Sequence, residues 1–358
     1  FYSCPINYGS ENVYVMIYEN LILFIVGRDK RRRRFILMTS LFASIAFALC
    51  CTMLMLGNTI YPVQDVVRVL LGEDVKGATF AVGTIRLPRM IAGVFSGFAF
   101  GVGGYIFQTM LRNPLANPNV IGITAGSSAS AVFCIIVLQA SNMVVSIASV
   151  VGGLVTVFVI FLLSKGTSFS IGRLILIGIG IQAMLNAIIS YFLLIGRQQD
   201  VPTAMRWLSG SLNGAKMDNL YPLILTVLIF TPVIMALRKQ LDMLELGEQA
   251  ATSLGVDTDK TRIALIVSSV LIIALATATT GPIAFVAFLS GPIAKRLVGV
   301  GFSSIIPAGL VGIILVLASD LIGQFAFVAR YPVGVITGIL GAPYLIYLLI
   351  RINRKGDL

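Results

Sequence analysis

The sequence contains no histidine and few charged residues. Histidine is absent from all 358 positions, which removes the commonest metal ligand and proton shuttle. Charged residues make up 11% of the chain, less than half of the roughly 25% found in soluble domains. A soluble globule of this length could not cover its surface with so few charges, whereas lipid solvates the outer face of a membrane protein. The composition therefore predicts an integral membrane protein, as does an apolar content of 57%.

Other absences narrow the function further. The sequence has no G-x-x-x-x-G-K-[ST] phosphate loop, so any ATP hydrolysis would need another chain. The apolar runs contain neither paired carboxylates nor a metal-ligand cluster, and we expect no catalytic residue, bound metal or cofactor. A net charge of +11 does not predict nucleic-acid binding, because positive charge in membrane proteins gathers in cytoplasmic loops. The cysteines lack disulfide or zinc spacing: Cys4, Cys50, Cys51 and Cys134.

Ten apolar runs approach the roughly 20 residues that a spanning helix needs. They predict an all-α integral membrane fold with about ten transmembrane helices. With the N-terminus inside, about two thirds of the 26 Lys and Arg residues fall in cytoplasmic segments, which predicts that both termini are cytoplasmic. The predicted spans are Phe35–Leu56, Leu87–Leu111, Val120–Leu138, Val144–Leu163, Leu174–Ile195, Leu220–Leu237, Ile263–Thr279, Ile283–Leu297, Ile305–Phe327 and Val333–Ile350.

The first 34 residues are predicted to form a cytoplasmic or membrane-surface extension. Val13–Gly27 is apolar, but it is short for a span and contains Glu19. The basic block that follows, residues 28–34, suits anionic lipid headgroups. The membrane domain then covers residues 35–352, and residues 353–358 form a cytoplasmic tail.

Two features inside the spans have a structural and a functional interpretation. Gly93, Gly97 and Gly101 recur every four residues, a pattern that lets helices approach closely. Internal packing is the favoured reading, and a subunit interface is the alternative. Asp320 is an intramembrane ionisable group and thus a functional candidate. Its neighbour Gln324 favours a satisfied structural network instead.

The loop between the sixth and seventh spans predicts two short helices. Leu244–Ser253 is rich in helix-forming residues, and Gly255 follows it as expected of a helix C-terminal cap. Asp257 or Thr258 is suited to begin a second short helix. Such a rigid knob could receive force from a motor subunit, and an ordinary amphipathic loop is the alternative. On the outer side, the segment 196–219 could dock a soluble partner or be a surface loop.

Five segments in a characteristic order identify a family. They are Arg86-Leu-Pro-Arg89, Gln108–Pro118 with Asn-Pro-Leu-Ala-Asn-Pro, Leu246–Val256, Gly281-Pro-Ile-Ala-Phe-Val286, and Tyr331–Val335 with Gly341-Ala-Pro343. Together they resemble the iron-siderophore, haem and cobalamin class (type II) of ABC importer permeases over about residues 35–352. Leu289–Lys295 departs from the pattern, because it lacks the histidine of many members. Leu176–Leu185, Gly210–Gly214 and Met243–Gly247 look most like the second permease subunit of ferric-enterobactin systems.

The resemblance implies an architecture and a set of partners. The fold would be that of vitamin B12-importer permeases, in the bacterial cytoplasmic membrane, with coupling helices at about residues 240–261. The partners would be a cytoplasmic ABC ATPase dimer that holds ATP and Mg²⁺, an extracytoplasmic binding protein, and a second permease subunit. A heterodimer is favoured over a homodimer. The cargo would be a ferric siderophore, the catecholate type being favoured. Haem or cobalamin import and an ion-coupled secondary transporter are the alternatives.

The resemblance also implies roles for particular residues. Arg86, Arg89 and Arg330 would dock the binding protein, since arginines can pair with its carboxylates. Gln182 and Asn186, four apart on the fifth span, would line the translocation pathway, with interhelical hydrogen bonding as the alternative. The residues implied in ATPase coupling are Leu246, Gly247, Glu248, Gln249, Ala250, Ser253, Leu254 and Gly255.

Overall fold

The computed structural model describes the backbone of residues 10–164, 171–299 and 301–355, with side chains for 27–119, 121–164, 172–299 and 301–350. All regular structure in these ranges is helical, which confirms the predicted class. A π-helical segment, Thr79–Arg86, leads into α3, and a 3₁₀ turn, Pro118–Ile121, precedes α4. The helices are α1 (Ser10–Met55), α2 (Val63–Leu70), α3 (Leu87–Met110), α4 (Ile123–Ile136), α5 (Asn142–Ser164), α6 (Ile171–Ile195), α7 (Val201–Leu208), α8 (Met217–Ala236), α9 (Arg238–Glu245), α10 (Glu248–Ser253), α11 (Thr258–Thr280), α12 (Val286–Val298), α13 (Ile305–Phe325) and α14 (Val333–Lys355).

The ten predicted spans correspond to eight long helices and two short ones. In the described chain, α1, α3, α5, α6, α8, α11, α13 and α14 contain stretches long and apolar enough to cross a bilayer. α4 and α12 occupy the predicted third and eighth positions with only 14 and 13 residues. At about 1.5 Å per residue, each covers roughly 20 Å of a hydrocarbon core about 30 Å thick. The remaining depth is irregular backbone, which a membrane protein tolerates only where other protein surrounds it.

Helix α1 continues without a break through the basic block. The extension and the first span were predicted as separate segments that meet at residues 34 and 35. One helix instead runs from Ser10 to Met55. The basic block offers no stop signal, because Lys and Arg are good helix formers. How residues 1–34 lie relative to the membrane stays a prediction.

Helix α3 is the centre of the bundle. It packs against α11, α12 and α13, and most of its residues from Ser96 to Met110 are buried. The peripheral helices α5, α6, α8 and α14 instead leave many large apolar side chains exposed, such as Phe158 and Leu194. An apolar outer surface around a close-packed centre is expected of a protein that lipid solvates.

The glycine repeat on α3 forms a seam with α13. A methyl group on Gly97 would lie 2.7 Å from the Gly312 carbonyl oxygen, and one on Gly101 would collide with the Ala308 carbonyl. At Gly93 the same substitution would meet Leu317. The predicted internal packing is therefore confirmed, because the repeat faces a helix of the same chain.

The Asn-Pro turns after α3 are explained by side-chain hydrogen bonds to the backbone. The Asn113 side-chain oxygen accepts from the Leu115 N–H at 2.8 Å, and that of Asn117 accepts from the Asn119 N–H at 3.1 Å. Asn favours such turns because its side chain can replace a backbone acceptor. These turns end α3 at the face of the bundle that carries α9 and α10.

The seam generates a prediction about Gly97. Gly97→Ala should lower the free energy of unfolding by about 1–3 kcal/mol, because the added methyl group meets backbone atoms that cannot move aside. Gly180→Ala on α6 is the matched control, since a methyl group there meets no described atom within 4 Å. Thermal unfolding of the purified chain in detergent measures both. A Gly97→Ala variant as stable as Gly180→Ala would contradict the assigned seam.

Candidate functional site

A compact knob of two short helices, α9 and α10, lies between α8 and α11. Leu241, Leu244 and Ala251 are buried and anchor it to the bundle. Gly247 separates the two helices with a φ of 111°, a conformation that L side chains rarely adopt. The Arg112 guanidinium at the end of α3 lies over this glycine, so the knob contacts the central helix directly.

The knob confirms part of the sequence prediction and corrects the rest. Gly255 follows α10 with a φ of 82°, as expected after a helix C-terminus. The helix predicted over Leu244–Ser253 is wrong in its extent, because Gly247 divides it. Asp257 does cap a helix, its carboxylate accepting from the Lys260 N–H at 3.1 Å. That helix is the long span α11, however, and no second short helix begins there.

Seven of the eight predicted coupling residues share one exposed surface. Gly247 is the exception, since it is buried at the break between the helices. The exposed members are Leu246, Glu248, Gln249, Ala250, Ser253, Leu254 and Gly255. Leu246 and Leu254 each expose more than half of their surface, so the knob presents apolar as well as polar groups. The coupling role itself stays a prediction.

Charged groups tie the knob to the spans beside it. Arg262 near the start of α11 is buried, and its Nη2 donates to Glu248 Oε2 at 2.9 Å. Glu245 at the end of α9 pairs with Lys295 of α12. Partial burial and then the negative charge of Glu245 raise the pKa of the Asp242 carboxyl to about 6. The charge of α9 therefore becomes more negative as the pH rises through about 6.

Arg86 lies at the opposite end of the bundle, near the C-terminus of α1. Its Nη1 donates to the carbonyl oxygens of Leu54 and Met55 at 2.9 and 2.7 Å, and its Nη2 donates to the carbonyl oxygen of Thr59 at 2.6 Å. The guanidinium also lies 5.0 Å from the centre of the Tyr61 ring. Arg86 thus satisfies carbonyls that the end of α1 leaves without helical partners.

Arg89 forms an ion pair inside the bundle. Its Nε and Nη2 donate to the two Asp320 carboxylate oxygens, each at 2.8 Å, and Asp320 is only 1% exposed. Gln324 Nε2 donates to the same carboxylate at 2.7 Å, which confirms a satisfied structural network around Asp320. No local sequence pattern predicts this pair, because its members are 231 positions apart.

Of the three predicted docking arginines, Arg330 alone is exposed. Its Nη2 donates to Asn58 Oδ1 at 2.7 Å and joins two loops at the surface. The guanidinium groups of Arg86 and Arg89 donate to internal partners in this conformation, and a docking role for these two residues stays a prediction. The docking role of Arg330 stays a prediction.

The predicted pathway residues lie on α6. Asn186 is exposed and Gln182 is half-buried, on one face as their spacing requires. Neither side-chain amide has a hydrogen-bond partner among the described residues, so the alternative of interhelical hydrogen bonding within the chain is not seen. Their role in the pathway stays a prediction.

The outer segment singled out in the sequence closes a cavity of about 370 Å³. Helix α7, the loop before α8 and the end of α11 surround it. Arg206, Trp207 and Lys216 line it, and Gln139 Nε2 donates to Asp200 Oδ2 at 3.1 Å across its wall. The segment is therefore a folded surface and not a plain connecting loop.

Comparison with known proteins places this geometry in a family. The model of the FecCD transport family matches residues 44–351, a range that includes the knob and the Arg86 contacts at the opposite end of the bundle. The chain belongs to the FecCD transport family. It is 36% identical over 296 residues to the ferric enterobactin transport system permease protein FepG of Escherichia coli, covering 82% of this chain and 89% of that protein.

Other relatives are named for iron uptake and for cobalamin import. The iron-uptake system permease protein FeuC of Bacillus subtilis is 33% identical, covering 76% of this chain and 84% of its own. The cobalamin import system permease protein BtuC of Halobacterium salinarum is 31% identical, covering 76% and 74%. A solved inward-facing transporter assigned to the metal-chelate ABC type matches the fold with a TM-score of 0.78 at 24% identity, over 87% of this chain and 98% of its own.

Family membership settles the coarse function. The chain is a permease of a metal-chelate or siderophore type ABC importer and a multi-pass protein of the bacterial cytoplasmic membrane. Permeases of this family work with an ATPase and a binding protein. The fold, the family and the membrane location predicted from the sequence are confirmed.

The Arg89–Asp320 pair generates a prediction. Arg89→Met or Asp320→Leu alone should lower the free energy of unfolding by about 3–5 kcal/mol, because each leaves a charge buried without its partner. The double variant should recover most of this loss, since it removes both charges. Thermal unfolding in detergent measures the three variants.

A docking role for Arg89 would give another result. An Arg89→Met variant that stays as stable as wild type, but loses binding of the cognate binding protein, would contradict the structural interpretation. Arg330→Met is the control for stability alone, because its exposed guanidinium contributes little to stability.

Proposed function

We propose that the chain is one of two permease subunits of a ferric-siderophore importer, with catecholate complexes as the favoured cargo. A binding protein delivers the cargo to the outer face, and the cargo passes to the cytoplasm by alternating access. ATP and Mg²⁺ are held by a partner ATPase dimer, and this chain contributes no catalytic residue, metal site or cofactor of its own.

The α9–α10 knob is the observation that carries the proposal. It exposes two leucines and several polar groups on a folded surface, while buried residues and the Arg262–Glu248 pair fix that surface to the bundle. A surface held in this way can transmit the movement of a docked motor to the helices behind it. A secondary transporter would have no use for such a surface.

The charges inside the bundle also favour an ATP-driven importer. Ion-coupled transporters place ionisable groups in their bundles to bind the coupling ion. Asp320 is the candidate that the sequence analysis gave for binding a coupling ion. Both of its carboxylate oxygens accept hydrogen bonds from Arg89. A carboxylate paired in this way is poorly placed to take up and release an ion.

The catecholate assignment is supported by the ferric enterobactin relative FepG, which is 36% identical. Relatives named for achromobactin and for cobalamin are 34% and 31% identical, which keeps haem or cobalamin import as the alternative. A second permease subunit would cover the exposed side of α6, where Gly180 has open space beside it and Asn186 is uncovered. A heterodimer is favoured from the resemblance to the second subunit of enterobactin systems.

Reconstituted transport tests this function. In vesicles that contain the permease pair, ATPase and binding protein, uptake of iron-55 as a ferric catecholate complex should require ATP and should be unaffected by ionophores. Ferric hydroxamate, haem and cyanocobalamin are the comparison cargoes. Preferential uptake of one of these would overturn the catecholate assignment. Uptake by this chain alone, driven by an ion gradient, would overturn the importer mechanism.

The knob generates a prediction about Gln249. Gln249→Trp should reduce uptake at least about tenfold, since a bulky residue on the proposed contact surface prevents close packing with the ATPase. Gln249 is the better probe because its side chain is exposed and Glu248 is paired with Arg262. The unfolding temperature of the isolated chain should not change.

Gln64→Trp is the matched control, because this glutamine is exposed on α2, away from the knob and outside the segment 196–219. Its uptake should equal that of wild type. Unimpaired uptake by Gln249→Trp, or an equal loss in both variants, would contradict the coupling surface. Co-purification of the ATPase with each variant identifies the step that fails.

A further inference from the structure

Helix α12 contains a proline where a helix needs a donor. Pro292 lies in the middle of Val286–Val298 and has no backbone N–H. In a regular helix the N–H of position 292 would bond to the carbonyl four residues earlier, which is that of Phe288. Pro292 therefore leaves the Phe288 carbonyl without its helical donor, in a part of the protein that is buried.

A side chain from α3 supplies the missing hydrogen bond. Gln108 is buried, and its Nε2 donates to the Phe288 carbonyl oxygen at 2.8 Å. The replacement is close in kind, because the donor is an amide N–H in both cases. Gln108 therefore supplies the donor that Pro292 lacks, although the two residues lie far apart in the sequence.

The space for this hydrogen bond is provided by two glycines. A methyl group on Gly291 would collide with the Gln108 side-chain oxygen. One turn before Gln108, a methyl group on Gly104 would collide with the Ala287 carbonyl. The two helices therefore cross with their backbones in contact, which brings Gln108 within reach of α12.

The far end of α12 is attached to the knob and to the basic block. Lys295 in the last turn pairs with Glu245 at the end of α9. Arg34 of α1 donates to the carbonyl oxygens of Leu297 and Arg296 at 2.9 and 3.1 Å. A short helix is thus attached to α3 at its middle and to the coupling region at its end.

We propose that Gln108 is a positioning residue that replaces the backbone donor missing at Pro292, and that it thereby holds α12 as the link between the knob and the central helix α3. Movement of the knob reaches α12 through Glu245 and Lys295. The Gln108 hydrogen bond transfers it to α3 at the point where α12 would otherwise bend freely. The functional part of this inference rests on the proposed function, whereas the hydrogen bond does not.

A double-mutant cycle tests the proposal. Gln108→Met removes the donor and should raise the equilibrium constant for unfolding about tenfold, because a buried carbonyl is left unpaired. Pro292→Ala restores a backbone N–H at position 292, so Gln108→Met should have little effect in that background. The two effects are not additive if the two residues share one carbonyl.

Pro232→Ala is the matched control, because Pro232 is also inside a helix, α8, but is not approached by Gln108. Gln108→Met should be as harmful in the Pro232→Ala background as in wild type. Equal losses in all three backgrounds would overturn the proposal, as would a Gln108→Met variant as stable as wild type. Should Gln108→Met not be recovered as folded protein, Gln108→Asn provides the same cycle with a donor too short to reach.

The proposed role of Gln108 as a link between the knob and α3 is tested by the ratio of cargo imported to ATP hydrolysed. In reconstituted vesicles, Gln108→Met should lower the number of cargo molecules imported per ATP hydrolysed several-fold, and Pro292→Ala should restore it. A merely structural glutamine would change the amount of folded protein but not this ratio, and an unchanged ratio would overturn the linking role. If wild type shows no ATP-dependent uptake, the proposed function fails, while the unfolding cycle still decides whether Gln108 replaces the missing donor.

Discussion

The close approach of α3 and α13 is the contact on which the rest of the structure depends. Three glycines spaced by four bring the two backbones together, and Arg89 continues the same row by one more turn to reach Asp320. The ion pair is possible in the bundle because the helices are already adjacent. Without the glycines the side chains between them would hold the helices apart, and both charges would lie in an apolar interior without partners.

Helix α3, once fixed against α13, connects the two ends of the permease. Its outer end follows the Arg86 segment that caps α1, and its inner end carries Gln108 and Arg112 against α12 and the knob. The proposed route of coupling therefore passes through a helix that is held rigidly along its length. Rigid elements with few alternative packings are suited to transmit movement, because close-packed interiors are not continuously deformable.

Arg86 and Arg89 have structural contacts that the motif alone does not predict. Motif resemblance assigned Arg86 and Arg89 to the binding protein, but their donors are used by helix-end carbonyls and by Asp320. A guanidinium carries five donors, and in a membrane protein such groups are as valuable for neutralising buried acceptors as for recognising a partner. The same residue types in a motif can therefore serve either a surface contact or an internal one.

Local features of the fold could be predicted because they depend on residues near one another in the chain. Composition, apolar run lengths, the Gly255 cap and motif order determined the membrane class, the helix order and the family. The break at Gly247 was missed because glycine within a helix-forming segment is a weak stop signal. The short length of α4 was also missed, because depth in the membrane depends on which neighbours surround the irregular backbone.

The sequence by itself therefore determined what kind of protein this is, and the tertiary structure decided which of its polar groups remain free. Arg89 meets Asp320 across 231 positions, and Gln108 meets the Phe288 carbonyl across 180. No local pattern encodes such pairs, since they exist only after the helices pack. The same packing left Gln249 exposed and gave the Asn186 side chain no hydrogen-bond partner among the described residues, because neither residue faces another helix of the chain closely enough to pair with it.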